Sequence, residues 1–457
     1  MIKRILTTAL CMLTLAIASA QWTGAWNGTL QVGRTPLPLQ FNIDGDTANG
    51  YSVTLDSPAQ GAKGIPGEIS VDNDSITVTI HAIGVRYTSV YRSDTDIIDG
   101  QFTQSGMSFP LTLSRGAYTP PRPQTPVPPY PYETREVTFS NTADQALLSG
   151  TLTLPMRYFT HKGGPTPAVV MVTGSGLQNR DEEVAGHRPF AVIAHHLALC
   201  GIASLRYDDR SFGRSTGDAS SATTTTFADD AAAALAFLRD NVPGLGAKGV
   251  LGHSEGGTIS FILASRDLPD FIIAMAPCAV RGDSVLLDQN RRIGGNVLPS
   301  DTNEEYITAL ARVFAWMETN PGAASWQGLN EAIADLPHLT PELKANLAAI
   351  ISSRNPWLDH FMSFDPTPAI TATRCPVFAI FGTHDMQVNA AVGQGALERH
   401  LPENALTVIK TYNGLNHLFQ HSRGGGPEEY STIDETISPE VLTDIATWIK
   451  SLPDKFD

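Results

Sequence analysis

Between Gln21 and about Arg115, apolar and polar residues alternate over short runs broken by turn residues. In Ser75-Ile76-Thr77-Val78-Thr79-Ile80 the apolar Ile76, Val78 and Ile80 share one face, the period of a half-buried strand. Similar runs at 28–32, 37–43, 51–55 and 97–102 are separated by turn chemistry such as Asp44-Gly45-Asp46 and Asp72-Asn73-Asp74. Together they predict a small antiparallel all-β domain over 21–115, a barrel or a sandwich. Trp22, Trp26, Tyr87 and Tyr91 read as its core, with a carbohydrate or partner surface as the alternative.

The pattern stops at 116–132, where repeated proline removes backbone donors and favours an extended, semi-rigid spacer. Beyond it, over 133–457, apolar strands alternate with helical periodicity, which predicts a largely parallel sheet flanked by helices. Strands are expected at 136–140 and 147–154 (an opening hairpin), then at 168–173, 202–206, 249–252, 271–276, 377–381 and 405–409. Helices are expected at 189–199, 227–241, 255–265, 388–397 and 439–451. From 281 to 360 the periodicity is helical only, punctuated by Pro299, Pro321, Pro337 and Pro356. Such an insertion is expected to cover the carboxyl ends of the strands as a helical lid, where open α/β sheets hold their ligands.

With 457 residues, 42% of them hydrophobic, the chain has material for more than one packed domain. The net charge of −15 argues against nucleic acid as a partner, since counterion replacement needs a basic surface. Lys3 and Arg4 precede a mainly apolar run over 5–17, followed by Ala18-Ser19-Ala20. This is the pattern of a secretory signal over 1–20, cut after Ala20, and it predicts an exported protein. That run is too short for a good membrane span, and no later stretch approaches the length needed. Cleavage leaves Cys200, Cys278 and Cys375, an odd set in largely apolar flanks, expected as buried free thiols.

The candidate chemistry centres on Gly252-His253-Ser254-Glu255-Gly256, which joins a predicted strand to a predicted helix. A serine nucleophile on a tight strand-to-helix turn needs that context. Gly213-Arg214-Ser215-Thr216-Gly217 has the same spelling but no strand entering it, so the context selects Ser254. A serine hydroxyl needs a base, and the base needs an orienting carboxylate. Asp385 follows the strand at 377–381, and His417 lies in the loop after the strand at 405–409. Singly, Asp385 also reads as a turn or helix-cap residue, and His417 as a surface histidine with His421 as its rival. The order Ser, Asp, His, each after its own strand, selects the triad.

From about residue 133 onward the chain resembles the α/β-hydrolases. It is similar to exported bacterial serine esterases within the set related to serine aminopeptidases and dienelactone-hydrolase-like proteins. The residues carrying this are Val172-Thr173-Gly174-Ser175-Gly176, Leu205-Arg206-Tyr207-Asp208-Asp209-Arg210, the Ser254 motif with Gly257, Gly382-Thr383-His384-Asp385 and Asn416-His417. The resemblance implies Ser254 as nucleophile, His417 as base and Asp385 as the orienting acid. It also implies an oxyanion hole made by the backbone N–H of Glu255 and a donor after Thr173, for which Ser175 is favoured. The charged loops around Arg180, Tyr207 and Arg210 read either as substrate contacts or as ion pairs that stiffen the mouth. No metal-ligand spacing and no dinucleotide or phosphate-loop fingerprint is present, so cofactor-free catalysis is expected. The expected substrate is a small-molecule carboxylic ester. The alternatives are a peptidase or amidase with the same triad, or a non-catalytic binding protein on a hydrolase scaffold.

Overall fold

The computed structural model describes residues 21–32, 35–60, 62–160 and 164–453. The predicted leader, 1–20, lies outside the described residues. The chain divides into two compact units between Pro121 and Arg122.

In the first unit, consecutive strands run round a closed barrel: β1 Gly24–Val32, β2 Thr35–Asp46, β3 Gly50–Ser57, β4 Ala62–Asp72, β5 Ser75–Ile80, β6 Val85–Arg92, β7 Ile97–Gln104 and β8 Met107–Arg115. Closure comes from β1 against β8, with Trp26 opposite Arg115 and Asn27 opposite Ser114. This decides between the two architectures the alternation allowed. Inward positions fill the interior with side chains; Trp26, Val78, Ile80, Tyr87, Ile98 and Leu113 are 0% exposed. Three strands fell outside the predicted runs. Gly64, Pro66 and Gly67 interrupt the alternation of β4. β6 buries Ser89 where the pattern looks for an apolar residue, and β8 carries Pro110.

The proline-rich stretch is not a free spacer throughout. From Arg122 onward it is bonded into the second unit. Gln124 Nε2 donates to the Ile437 carbonyl at 2.7 Å, and the Tyr132 hydroxyl meets His195 Nδ1 at 2.9 Å. Polar side chains between the prolines supply bonds that the proline backbone cannot.

The second unit is built on one sheet of β9 Glu133–Asn141, β10 Ala146–Leu154, β11 Thr166–Val172, β12 Ala203–Tyr207, β13 Leu245–His253, β14 Phe271–Met275, β15 Val377–Gly382 and β16 Val408–Tyr412. Their order across the sheet is β16-β15-β14-β13-β11-β12-β10-β9. Strands β11 to β16 are parallel, and the β9–β10 hairpin adds an antiparallel edge. Helices α1 Met156–Thr160, α2 Pro189–Leu199, α3 Thr224–Asn241 and α4 Glu255–Ser265 lie between the earlier strands. Six more, α5 Gly282–Gly295, α6 Ser300–Thr319, α7 Leu329–Ala332, α8 Pro341–Ser352, α9 Pro356–Ser363 and α10 Thr367–Ala372, fill the interval between β14 and β15. Helices α6 to α9 share a core of their own around Leu310, Val313, Met317 and Leu347, while Ile370 of α10 joins the core of the sheet. The insertion thus runs past the predicted end at 360. Helices α11 Ala390–His400 and α12 Pro439–Ser451 complete the chain.

Strand β16 starts later than the apolar run at 405–409 because Asn404 makes a turn there. Its side chain accepts from the Leu406 N–H at 2.9 Å, and its carbonyl from the Thr407 N–H at 3.0 Å. Asn389 likewise sets the start of α11 by accepting from the Ala391 and Val392 N–H groups.

Chain order reverses at β11, with β12 on one side and β13 on the other. This is a topological switch point, where the loops leaving neighbouring strands part and open a crevice. Helix α4 packs hard against that point. A Cβ on Gly252 would stand 1.9 Å from the Gly256 carbonyl oxygen, and one on Gly256 only 2.1 Å from that of Val172. Gly252→Ala is therefore expected to destabilise the hydrolase unit by about 1–3 kcal/mol or more, since neither backbone can yield cheaply. Thermal unfolding checks this; a wild-type midpoint in the variant would show that the packing is looser than described.

Candidate active site

Ser254 sits between β13 and α4 with φ 54° and ψ −116°. A non-glycine residue in this region costs roughly 1–3 kcal/mol and persists only where its surroundings impose it. The imposing contacts are the glycine approaches above and the Ser254 N–H, which donates to the Met275 carbonyl at 2.8 Å. Because α4 begins at Glu255, that residue's N–H is among those with no acceptor inside the helix.

Beyond β15, Asp385 is 1% exposed and holds His417 Nδ1 at 2.7 Å through Oδ2. Its other oxygen accepts from the backbone N–H groups of Gln387 and Val388, each at 2.8 Å. The carboxylate thus does the turn-capping work weighed as an alternative and orients the histidine as well. The His417 loop is shaped by buried Asn416, whose Oδ1 accepts from the Leu418 and Gln420 N–H groups. His421 points elsewhere; its side chain is 66% exposed and pairs with Glu435.

Ser254 and His417 line one cavity of about 510 Å³. Gly174, Ser175, Gln178 and Glu182 contribute one wall, and Val285, Leu286, Trp357, Phe361, Val388 and Leu418 make a largely apolar one. Two buried carboxyl groups brace the Ser175 loop. Asp209 accepts from the Thr173 hydroxyl at 2.9 Å and the Gln178 N–H at 2.8 Å. Glu182 accepts from the Gly174 N–H and faces His253, each at 2.9 Å. A third buried carboxyl is that of Glu255. It accepts from the Thr224 hydroxyl at 2.7 Å and from Trp357 Nε1 at 3.0 Å. Burial raises the Glu255 carboxyl above its usual range against those donors and the Ser175 hydroxyl. Cys278 also lines the cavity, but burial pushes its thiol up to about 12, which leaves it protonated and inert. Cys200 and Cys375 are half-buried rather than fully buried as expected.

The three residues offered as substrate contacts do not line this cavity. Arg180 spends its guanidinium on Asp208 and Glu136, with Thr151 and Ser149 taking further bonds. Arg210 is 1% exposed and is forked onto Asp230, with Asp144 beside it. Tyr207 is in the core, edge-on to Phe139. Arg180 and Arg210 stiffen their loops through ion pairs, and Tyr207 is a packing residue. Ser215 of the second Gly-x-Ser-x-Gly spelling is buried, donating to the Asp208 carbonyl at 2.7 Å and accepting from the Ser149 N–H at 2.9 Å. It is a loop fastener. Sequence reasoning passed over His253, Glu182, Asp209 and Trp357. The first stood in view inside the serine motif, and Glu182 and Asp209 in the charged loops.

Residues 187–422, which span Ser254, Asp385 and His417, match the family described as serine aminopeptidase, S33. The chain belongs to that family. It is 25% identical over 325 residues to the esterase EstD of Thermotoga maritima, covering 71% of this chain and 69% of the relative. Among solved structures it is similar to the esterase Pf2001 of Pyrococcus furiosus at 15% identity and a TM-score of 0.42, covering 73% of this chain and 99% of that one. It is also similar to an esterase of Pyrobaculum calidifontis at 19% identity and a TM-score of 0.41, covering 70% and 85%. The hydrolase unit has the α/β-hydrolase fold, preceded by the antiparallel barrel. No helix among the described residues is long and apolar enough to cross a membrane.

Burial lifts the Asp209 carboxyl from its ordinary 3.8 to about 8, against the Gln178 amide and Thr173 hydroxyl that favour its charge. The stability this gives is complete below pH 3.8 and is lost as the pH rises through about 8, because the unfolded state releases the proton first. The unfolding midpoint is expected to fall across that window, and Asp209→Asn to flatten the fall. Parallel pH series of wild type and variant would refute the assignment.

Proposed function

We propose that this protein is an exported serine esterase that cleaves small-molecule carboxylic esters through an acyl-enzyme. The observation that carries the reading is a serine on a strained elbow sharing a cavity with a histidine whose Nδ1 is held by a buried carboxylate. With Nδ1 engaged, Nε2 is the nitrogen left to take the Ser254 proton and return it to the leaving alcohol. Ser254 Oγ attacks the acyl carbonyl. The Glu255 N–H and the Ser175 loop stabilise the oxyanion, and water attacking the acyl group then releases the acid.

The cavity walls support esters over peptides. Glu182 is the acidic side chain among the described lining residues, and it is already bonded to Gly174 and His253, so it is not free to hold a peptide amine. The apolar wall suits a neutral acyl or alcohol group, and the helical insertion that supplies Trp357 and Phe361 acts as its lid. The name of the Thermotoga relative supports the same reading. The family description favours peptide cleavage as the second reading.

Hydrolysis of p-nitrophenyl esters from acetyl to long acyl, with amino-acid p-nitroanilides alongside, separates these readings. Esters are expected to turn over, with an optimum set by the apolar wall. Ser254→Ala should lose several orders of magnitude in kcat, and Asp385→Asn on the order of ten-thousandfold. A wild type active on anilides but on no ester would replace the esterase reading. Export rests on the basic and apolar pattern of residues 3–20. After expression in a bacterium the mature chain should begin at Gln21, and recovery with Met1 retained would reject export.

A further inference from the structure

His253 stands beside the nucleophile, yet the chemistry above does not use it. Its ring is buried, with Nδ1 2.9 Å from Glu182 Oε1 and Nε2 2.9 Å from the carbonyl oxygen of His417. Both partners are acceptors, and a neutral imidazole has one N–H to give. Glu182 Oε1 also accepts from the Gly174 N–H at 2.9 Å, a bond that a carboxylate oxygen takes more readily than the hydroxyl of a neutral acid. One more proton must therefore reside in the pair, and the contacts are those of an imidazolium against a carboxylate. The two histidine rings lie face to face at a tilt, 4.5 Å between centroids and 44° between planes, with Phe419 closing one side.

We propose that His253 and Glu182 form a charged clamp, a pair of positioning residues that locks the His417 loop to the loop carrying Ser175. Its bonds join three strand ends: Gly174 and Glu182 after β11, His253 ending β13, and His417 after β16. The clamp rests on the esterase reading for its purpose but not for its existence. The titratable groups facing His253 are Glu182 and His417, with Asp385 behind the latter. Burial opposes the His253 charge, while the charge and hydrogen bond of Glu182, the His417 carbonyl and Asp385 favour it, and the balance lies above the ordinary 6.5.

Nitrogen-15 NMR of histidine-labelled full-length protein tests the proton count directly, with the His253 signals assigned by their loss in His253→Asn. One buried imidazolium is expected to persist at about pH 8, where an ordinary histidine is neutral, and to disappear in Glu182→Gln. On esters, Glu182→Gln is expected to lower kcat by up to about a hundredfold through misplacement of the base, with little change in KM. Its acidic pH limb should shift, and Glu182→Asp should recover part of the rate. A neutral His253 in the wild type at that pH, or wild-type kcat and pH profile in Glu182→Gln, overturns the clamp. If Glu182→Gln does not fold, the wild-type spectrum and the Glu182→Asp kinetics decide. Should no ester turn over at all, the esterase reading fails while the spectrum still decides the clamp.

Discussion

The backbone contact between α4 and the sheet is the constraint from which the hydrolase unit follows. Gly252, Gly256 and the Val172 carbonyl approach so closely that a single Cβ could not be admitted. That approach drives Ser254 into a conformation disfavoured for any side chain, and the strain is tolerable because α4 is buried along nearly its whole length. Residues Ile259 to Ala264 are in the core, and burying them outweighs the elbow's cost many times over at about 25 cal/mol per Å² of apolar surface. Ser254, the proposed nucleophile, is thereby presented at the switch point without a flexible loop.

A helix so enclosed has a consequence for its first side chain. Glu255 cannot reach solvent, and its carboxyl is satisfied instead by Thr224 of α3 and Trp357 of α9. The insertion has a core of its own, so its polar hold on the site passes through α9, where Thr225 and His360 also meet at 3.3 Å. Trp357 stacks on Phe361 at 5.3 Å, and both rings line the cavity. One buried carboxyl therefore ties the aromatic wall of the cavity to the first residue after Ser254.

Much of this was legible before any coordinates. Strand and helix periods separated the two architectures, and the chain order of Ser254, Asp385 and His417 led to a histidine held by Asp385 and a serine lining the same cavity. What escaped has a physical pattern. β4, β6 and β8 hide because barrel strands tolerate glycine, proline and serine wherever neighbouring side chains fill the interior. For Arg180 and Arg210 the sequence left substrate contact open beside ion pairing, because charge in sequence does not reveal its partner; Asp208, Glu136 and Asp230 are those partners. Trp357 is invisible as a site residue from more than a hundred positions away, since its tie to the Ser254 elbow runs through the Glu255 carboxyl.

The electrostatics around the oxyanion explain why such ties are needed. Asp209, Glu182 and Glu255 all lie beneath or beside the loop that would receive negative charge in the transition state. Three bare carboxylates there would oppose the reaction, because charges in a site that excludes water interact far more strongly than in solution. Each is relieved in a different way. Asp209 keeps its proton up to about pH 8, Glu182 is matched by the proton on His253, and burial drives Glu255 toward its neutral form. In the proposed mechanism Asp385 is the carboxylate set against the imidazolium formed on His417. In the proposed reaction the standing negative charge beside Ser254 is thereby reduced, so the donors offered as the oxyanion hole would meet charge chiefly when the transition state creates it.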